Sequence, residues 1–179
     1  MRVQESGSPS EVDGVGPTRR GGRLRRSTLV ERSLDAAHVD FAPTHRQPSW
    51  LRVAVAAFGA IGGSLLATAL MVAIGTAVFP STHGYAHFQF ADYAKLTVIG
   101  VIIASIAWPV VTRLTSAPRW LFFRLAVLVT VVLWLPDLYI LYRGQPGDAV
   151  GVLMAMHVAI ALVTYNVLVH GAPVRGDPA

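Results

Sequence analysis

The sequence predicts an all-α, polytopic membrane protein: an up-down bundle of four transmembrane helices that follows a disordered, basic N-terminal tail. The first observation behind this prediction is composition, because 53% of the 179 residues are hydrophobic and only 14% are charged, whereas soluble domains carry about 25% charged residues. The second is distribution, since the stretch from Val53 to Val169 contains only eight charged residues. The third is that this stretch divides into four apolar runs, each near the ~20 residues that a helix needs to cross a bilayer.

Residues 1–48 differ from the rest of the chain. They are rich in Gly, Pro, Ser, Arg and acidic residues and have no sustained apolar period, so they cannot bury enough apolar surface to offset the entropy of ordering. We expect a disordered cytoplasmic tail over 1–48, in which only 28–41 has a helical spacing of apolar residues. The transmembrane domain covers 49–170, and 171–179 forms a short cytoplasmic C-terminal tail.

The bounds of the four spans follow from the apolar runs. The first run ends at Pro80, and the connections between the later runs are short, which predicts that neighbouring spans are antiparallel. The predicted spans are about 53–79, 93–112, 120–142 and 149–169.

Arginine and lysine indicate the orientation of the bundle, because the cytoplasmic segments of membrane proteins carry an excess of these residues. The first 50 residues contain eight arginines, and Arg113 and Arg119 flank the connection between spans two and three. The opposite side offers only Lys95 and Arg143. We therefore expect both termini, and the connection between spans two and three, to be cytoplasmic.

The tail contains a cluster of arginines without interleaved aromatic residues, which favours anionic lipid over nucleic acid as its partner. Each arginine near an anionic membrane surface contributes about 1 kcal/mol to membrane binding. The cluster consists of Arg19, Arg20, Arg23, Arg25 and Arg26.

Small residues at four-residue spacing predict close helix packing in the first and fourth spans, because lipid tails supply no hydrophobic drive between helices. Such ridges join helices either within one chain or between two chains. A four-span chain has packing partners of its own, which favours the first arrangement. The ridges are Gly59, Gly63 and Ala67 in the first span, and Gly151, Ala155 and Ala159 in the fourth.

An aspartate inside the third span is the strongest candidate for a functional residue. By helix rise, Asp137 lies about 7–8 Å from the outer end of its span, and His157 lies about 12 Å from the same side of the fourth span. An ionisable residue within the membrane raises the free energy of insertion by at least about 2.5–3.5 kcal/mol, so we expect it to have a partner or a functional role. The pair is therefore either a proton or ligand site that faces the outer side, or a hydrogen bond that only fixes helix register.

Neighbouring residues extend this hypothesis. Pro136 removes one backbone hydrogen bond of its helix, so a kink there would turn carbonyl groups towards a polar cavity. Thr130 shares the inward face of the third span with Asp137, and Thr164 shares that of the fourth span with His157. We expect these five residues to form one site.

Histidines in the connection between the first two spans offer a metal-binding alternative. His83, His87 and Asp92 would supply the minimum ligands of a Zn²⁺ site, although Gly84 interrupts the segment. Haem ligation would need His157 together with His83 or His87. No cofactor is predicted, and haem and zinc both stay open.

The motifs Pro136-Asp137-Leu138 and Met156-His157, together with four spans and a basic N-terminal tail, resemble those of a group of small actinobacterial membrane proteins classed as a domain of unknown function. The resemblance covers about residues 50–170. It implies a four-helix fold in an actinobacterial inner membrane, and it implies no activity.

The sequence gives no catalytic signature. It lacks a Gly-rich phosphate loop, a nucleophile elbow, a zincin helix and paired intramembrane carboxylates, and it contains no cysteine. Small size, small-residue ridges and a basic tail favour a non-enzymatic accessory or regulatory subunit of a larger membrane assembly, bound to a membrane-protein partner or to further copies of itself. The alternative is a small proton-linked transporter or ligand-binding membrane protein that uses Asp137 and His157. An enzyme acting on a lipid or quinone is a third hypothesis.

Overall fold

The computed structural model describes residues 29–36, 39, 47–85 and 88–174, and within these ranges the chain is helical, with a single isolated β-bridge between Val39 and Thr115. A 3₁₀ turn at Pro80–Thr82 follows the second helix. The α-helices of the described ranges are α1 (Leu29–Ala36), α2 (Trp50–Val78), α3 (Phe90–Leu114), α4 (Pro118–Tyr142) and α5 (Gly147–Gly171).

The predicted fold class is confirmed. Helices α2 to α5 are each long and apolar enough to cross a membrane. They coincide with the four predicted spans to within three residues at each end. Helices α3 and α5 begin earlier than predicted, and their first turns contain the polar residues Asp92 and Asp148. Both are favourable positions for a carboxylate, because the helix dipole places positive charge at the N-terminus.

The four long helices alternate in direction. Helix α2 packs most extensively on antiparallel α5, and it also packs on α3, while α5 packs in turn on α4. Gly59 near the start of α2 faces Val167 near the end of α5, and Gly75 near the end of α2 faces Val152 near the start of α5. Helix α3 touches α4 and α5 far less, and to the same extent, so the packing is loose along the α3–α4 seam and where α3 faces α5.

The glycine ridge of α2 lies against α5. A Cβ atom at Gly63 would stand 3.0 Å from Val163 Cγ1, and one at Gly75 would stand 2.7 Å from Val152 Cγ2. Valine side chains of α5 therefore fill the space that glycine leaves on α2. Burial of apolar side chains gives little free energy in lipid, so this close packing is what stabilises the contact between α2 and α5.

The second predicted ridge, on α5, has a different environment. Gly151 and Ala155 lie on an exposed face, and no atom of the described residues lies within 4 Å of a Cβ built at Gly151. Ala159 is half-buried, as is Ala67 on α2. Helix α5 thus meets α2 through its valines, because β-branched side chains fit into the glycine grooves of α2 and a second small-residue ridge would leave a void there.

One end of the bundle is closed by a cluster of buried side chains around Trp108, and we call it the Trp108 end. The indole is fully buried, its ring centroid lies 5.1 Å from that of Phe122, and its Nε1 donates to the carbonyl oxygen of Ala172 at 2.9 Å. All four long helices contribute to this cluster, which comprises Val53, Ala56, Trp108, Val111, Phe122, Leu168, Val169 and Ala172.

The opposite end, called the Asp137 end, contains the tight connection between α4 and α5. Gly144 takes a positive φ of 88°, which suits the residue that follows a helix. Its N–H donates to Leu141 O, and the next N–H, of Gln145, donates to Ile140 O. This Schellman arrangement satisfies the last carbonyls of α4 and reverses the chain within four residues, so α5 starts beside the end of α4.

Part of the segment predicted to be a tail contacts the Trp108 end. Gln47 Nε2 donates to Thr112 O at 2.9 Å, and Thr112 Oγ1 donates to Gln47 Oε1 at 2.6 Å. Val39 forms the isolated bridge with Thr115. Helix α1 also falls within the stretch whose helical spacing the sequence indicates. Val39 and Gln47 therefore contact the end of α3.

Candidate functional site

A cavity of about 540 Å³ opens between α3, α4 and α5 at the Asp137 end of the bundle. It lies along the seam where α3 and α4 pack loosely. Gly100 contributes to the space because it has no side chain and nothing lies within 4 Å of its Cβ position. Most of the lining is aliphatic, and the polar lining residues are Asp92, Tyr93, Thr97, Asp137 and His157.

Asp137 and His157 meet in the wall of this cavity. The Nδ1 atom of His157 lies 3.2 Å from Oδ2 of Asp137, and the aspartate is only 6% exposed. Side chains tilt towards the N-terminus of their own helix, and α4 and α5 are antiparallel, so His157 reaches back towards the Asp137 end while Asp137 reaches inward. Two residues at different depths along their helices thereby converge.

A second contact between the same two helices fixes this convergence. Trp134 lies one turn before Asp137 on α4, and its Nε1 donates to the carbonyl oxygen of Met154 at 3.2 Å. Met154 in turn lies one turn before His157 on α5. The pair is therefore held by a neighbouring hydrogen bond as well as by its own attraction.

The imidazole has a defined tautomer. Nδ1 of His157 lies 2.9 Å from the carbonyl oxygen of Leu153, and a carbonyl only accepts hydrogen bonds, so Nδ1 carries a hydrogen. In the neutral ring Nε2 is then the acceptor nitrogen. The site can offer an acceptor nitrogen and a carboxylate to a ligand, or take up one proton on the imidazole beside the carboxylate.

Helix α3 supplies the wall that sequence reasoning missed. Asp92 lies at the rim, Tyr93 and Thr97 lie deeper, and Thr97 is buried. Steps of four and three residues put Tyr93, Thr97 and Gly100 on one side of α3. This spacing is present in the sequence, but it indicates a site only when α3 is known to face Asp137.

Of the five residues predicted to form one site, three line the cavity: Pro136, Asp137 and His157. Helix α4 continues through Pro136 without a break. Thr130 and Thr164 are buried outside the cavity lining. Thr130 donates to Ala126 O at 2.8 Å within its own helix, and Thr164 Oγ1 lies 3.3 Å from Ser64 Oγ of α2. Each lies two turns from the pair, about 10 Å away along its helix, which is why they do not reach the site.

The predicted zinc ligands are only partly within the described residues, since His87 lies outside them. His83 is exposed and does not line the cavity, whereas Asp92 does. Within the described ranges no group of three His, Cys, Asp or Glu side chains is arranged to hold a metal ion. The basic cluster from Arg19 to Arg26 also lies outside the described residues.

Tyr85 lies in the connection between α2 and α3, outside the spans, and the charge of Asp137 affects its pKa. Its hydroxyl oxygen is buried, and burial raises the pKa of the phenol above its ordinary value near 10, with the negative charge of Asp137 adding to the rise. Phe88 packs edge-on against the Tyr85 ring, with centroids 5.2 Å apart. Tyr85 therefore covers the Asp137 end of the bundle near the pair.

Removal of the carboxylate charge should shift the titration of Tyr85. We expect Asp137→Asn to lower the pKa of Tyr85 towards that of an ordinary tyrosine, leaving the part of the rise that burial causes. In the wild type more than half of the phenol should be protonated at pH 10 because its pKa is raised, and any stability that depends on the neutral phenol should be lost as the pH rises through the raised pKa.

The measurement is the absorbance change of phenolate, taken as the difference between each protein and the same protein with Tyr85→Phe. Asp148→Asn is the control, because Asp148 is an exposed carboxylate at the same end of the bundle that accepts from Ser81 at 3.1 Å. An Asp137→Asn titration that overlays the wild type would contradict the electrostatic contact.

Comparisons of the chain with protein-family models, with curated proteins and with solved structures give no match.

Proposed function

We propose that this protein is an integral membrane protein that binds a small, mainly apolar molecule in the cavity between α3, α4 and α5, with the Asp137–His157 pair holding its polar group. The observation that carries the proposal is the position of the pair. A buried carboxylate and an imidazole, 3.2 Å apart, share the wall of a cavity of about 540 Å³ whose lining is otherwise mostly aliphatic.

The size and chemistry of the cavity support a ligand. Sites for small molecules commonly measure about 300–1,000 Å³ and combine an apolar lining with a few convergent polar groups. An ionisable side chain within a membrane span is costly, so it usually serves a function. A pair that only fixed helix register would need no cavity beside it, because well-packed aliphatic side chains would hold α4 against α5 at lower cost.

The experiment fills the cavity without touching the pair. Gly100 lines the cavity and has open space at its Cβ position, and Gly62 has equally open space but lies on α2 away from the cavity. Gly100→Phe should therefore block ligand binding, and Gly62→Phe is its matched control.

The full-length protein would be placed in nanodiscs of zwitterionic phosphatidylcholine. Three probes of similar shape would be tested: tetraphenylphosphonium, uncharged triphenylmethanol and tetraphenylborate. Binding would be measured by equilibrium dialysis against protein-free nanodiscs and by the rise in Tm. We expect at least one probe to bind the wild type and the Gly62→Phe variant but not Gly100→Phe. If no probe shows binding that depends on Gly100, the proposal fails.

The accessory-subunit hypothesis stays a second proposal, and the exposure of α4 favours it. In its most apolar stretch α4 buries only 6% of its residues, the smallest share among the four long helices, so it presents a broad face to lipid or to a partner helix. Purification from native membranes in mild detergent tests this hypothesis, because a subunit should retain a stoichiometric partner. The prediction of cytoplasmic termini in a bacterial inner membrane belongs to both proposals and is tested by labelling each terminus from outside the cell.

A further inference from the structure

We propose that the ligand of this cavity is a lipophilic cation: a molecule with an apolar body and a single positively charged group such as a tertiary or quaternary ammonium. The inference rests on the proposed function and adds the charge of the ligand to it. Its basis is the set of charged side chains that line the cavity, which among the described residues contains two carboxylates and neither lysine nor arginine.

The two carboxylates line the cavity from two different helices. Asp137 belongs to α4 and is buried in the wall, while Asp92 belongs to the first turn of α3 and is exposed at the rim. A cation that enters from water would first contact Asp92 at the rim. It would then move inward and contact Asp137. Desolvated carboxylates attract a positive charge more strongly because the surrounding dielectric is low.

The nearest basic residue of α3 faces elsewhere. Lys95 lines a separate, shallow cleft with Ala94, Val98 and Ile99, so its charge does not neutralise the cavity. His157 directs its Nδ1 hydrogen to Leu153 O, which leaves Nε2 as an acceptor when the ring is neutral. The cavity therefore offers negative charge and acceptor atoms.

Aromatic and aliphatic side chains match the rest of such a molecule. Tyr93 lines the cavity beside Asp92, and the face of an aromatic ring attracts a cation, the more so where water is excluded. Leu96, Ile103 and Ile160 present aliphatic surface to the apolar body. An anionic or strongly polar ligand would find no donor of comparable charge among the lining residues.

The test compares the three probes already described, since tetraphenylphosphonium and tetraphenylborate share a shape and differ in the sign of their charge. With free concentrations corrected by dialysis against protein-free nanodiscs, we expect the cation to bind at least about tenfold more tightly than the uncharged probe, and the anion to bind least. Asp137→Asn should weaken binding of the cation about tenfold and leave the uncharged probe nearly unaffected.

A second variant, at Asp92, tests the charge of the ligand without replacing the buried Asp137, whose replacement could disturb folding. Asp92 is exposed, so Asp92→Lys should still fold and place a positive charge at the rim, although it replaces a carboxylate that the helix dipole favours in this first turn. We expect it to weaken binding of tetraphenylphosphonium several-fold and to strengthen binding of tetraphenylborate, with both effects reduced at high salt because exposed charges are screened. Asp148→Asn, which removes an exposed carboxylate outside the cavity, should change neither.

The outcomes separate this inference from the proposed function. If the uncharged or anionic probe binds as tightly as the cation in a Gly100-dependent manner, the cavity is a ligand site but the cation assignment is wrong. The same holds if Asp137→Asn and Asp92→Lys both leave cation binding unchanged. If no probe binds in a Gly100-dependent manner, the proposed function itself fails, and the assignment fails with it.

Discussion

Replacing Trp108 by alanine should lower the free energy of unfolding by about 3 kcal/mol, which is the lower end of the range for removal of a large buried aromatic side chain. The indole is fully buried between α2, α4 and α5 and packs against Phe122. Lipid tails are as apolar as the cluster, so the loss of apolar transfer counts for less here than in water. The expected loss of stability therefore comes mainly from the cavity that the indole leaves and from its lost packing contacts.

The hydrogen bond of the indole can be measured separately. Trp108 Nε1 donates to Ala172 O at 2.9 Å, just after the end of α5. Trp108→Phe keeps most of the ring and removes the donor, so we expect it to cost about 1–2 kcal/mol through the buried carbonyl that loses its partner. The difference in unfolding free energy between Trp108→Ala and Trp108→Phe then gives the contribution of packing.

Unfolding would be followed by far-UV circular dichroism during titration with sodium dodecyl sulfate in mixed micelles. Trp50→Ala is the control, because Trp50 lies at the same end of the bundle and is 70% exposed. We expect that control to stay within about 0.5 kcal/mol of the wild type. A Trp108→Ala variant as stable as the control would contradict the closed aromatic cluster.

The four spans were predictable because each depends on a local property of the sequence. An apolar run of about 20 residues has one stable solution in a bilayer, a helix whose backbone hydrogen bonds are all internal. Proline and glycine marked the ends: Pro80 follows α2, Pro118 opens α4 and Gly144 reverses the chain before α5. These signals need no knowledge of which helices are neighbours.

The site was predictable only in part because it depends on neighbours. Asp137 and His157 stood out as ionisable residues within apolar runs, and the short connection between α4 and α5 brought their helices together. Thr130 and Thr164 share helix faces with them, but a shared face says nothing about distance along the axis. The contribution of α3 through Asp92 and Thr97 depends on the loose seam between α3 and α4, and no local pattern encodes that seam.

The α5 ridge illustrates a different limit. Glycine and alanine at four-residue spacing predict close approach, but they do not specify which face of which helix approaches. The glycines of α2 receive valines of α5, so a single ridge is enough for the interface, and the ridge that contains Gly151 and Ala155 faces outward. Packing needs complementary shapes rather than two matching rows of small residues.

Stability and the candidate site lie at opposite ends of the bundle. The Trp108 cluster closes one end with side chains from all four long helices, and the cavity opens the other along the α3–α4 seam. Variants at the cavity rim, such as those at Asp92, should therefore change binding with little effect on unfolding. Variants in the cluster should do the reverse, which lets loss of function be distinguished from loss of fold.

Gly75→Leu should have the second large effect on stability, because it forces α2 away from α5. Even a Cβ at this position would stand 2.7 Å from Val152 Cγ2 and 3.0 Å from its Cγ1, and a valine on a helix has little rotamer freedom with which to yield. Overpacking of this kind costs about 1–3 kcal/mol. We expect about 2 kcal/mol or more, partly offset by the better helix propensity of leucine.

Gly62→Leu is the matched control, since Gly62 lies in the same helix with open space at its Cβ position; it should be neutral or slightly stabilising. The interaction itself is tested by adding Val152→Ala to the Gly75→Leu variant. Because the two residues are in direct contact, their effects should not add, and the smaller alanine should recover at least half of the lost stability in the same titration. If Val152→Ala destabilises the double variant further, α2 and α5 do not pack through these two residues.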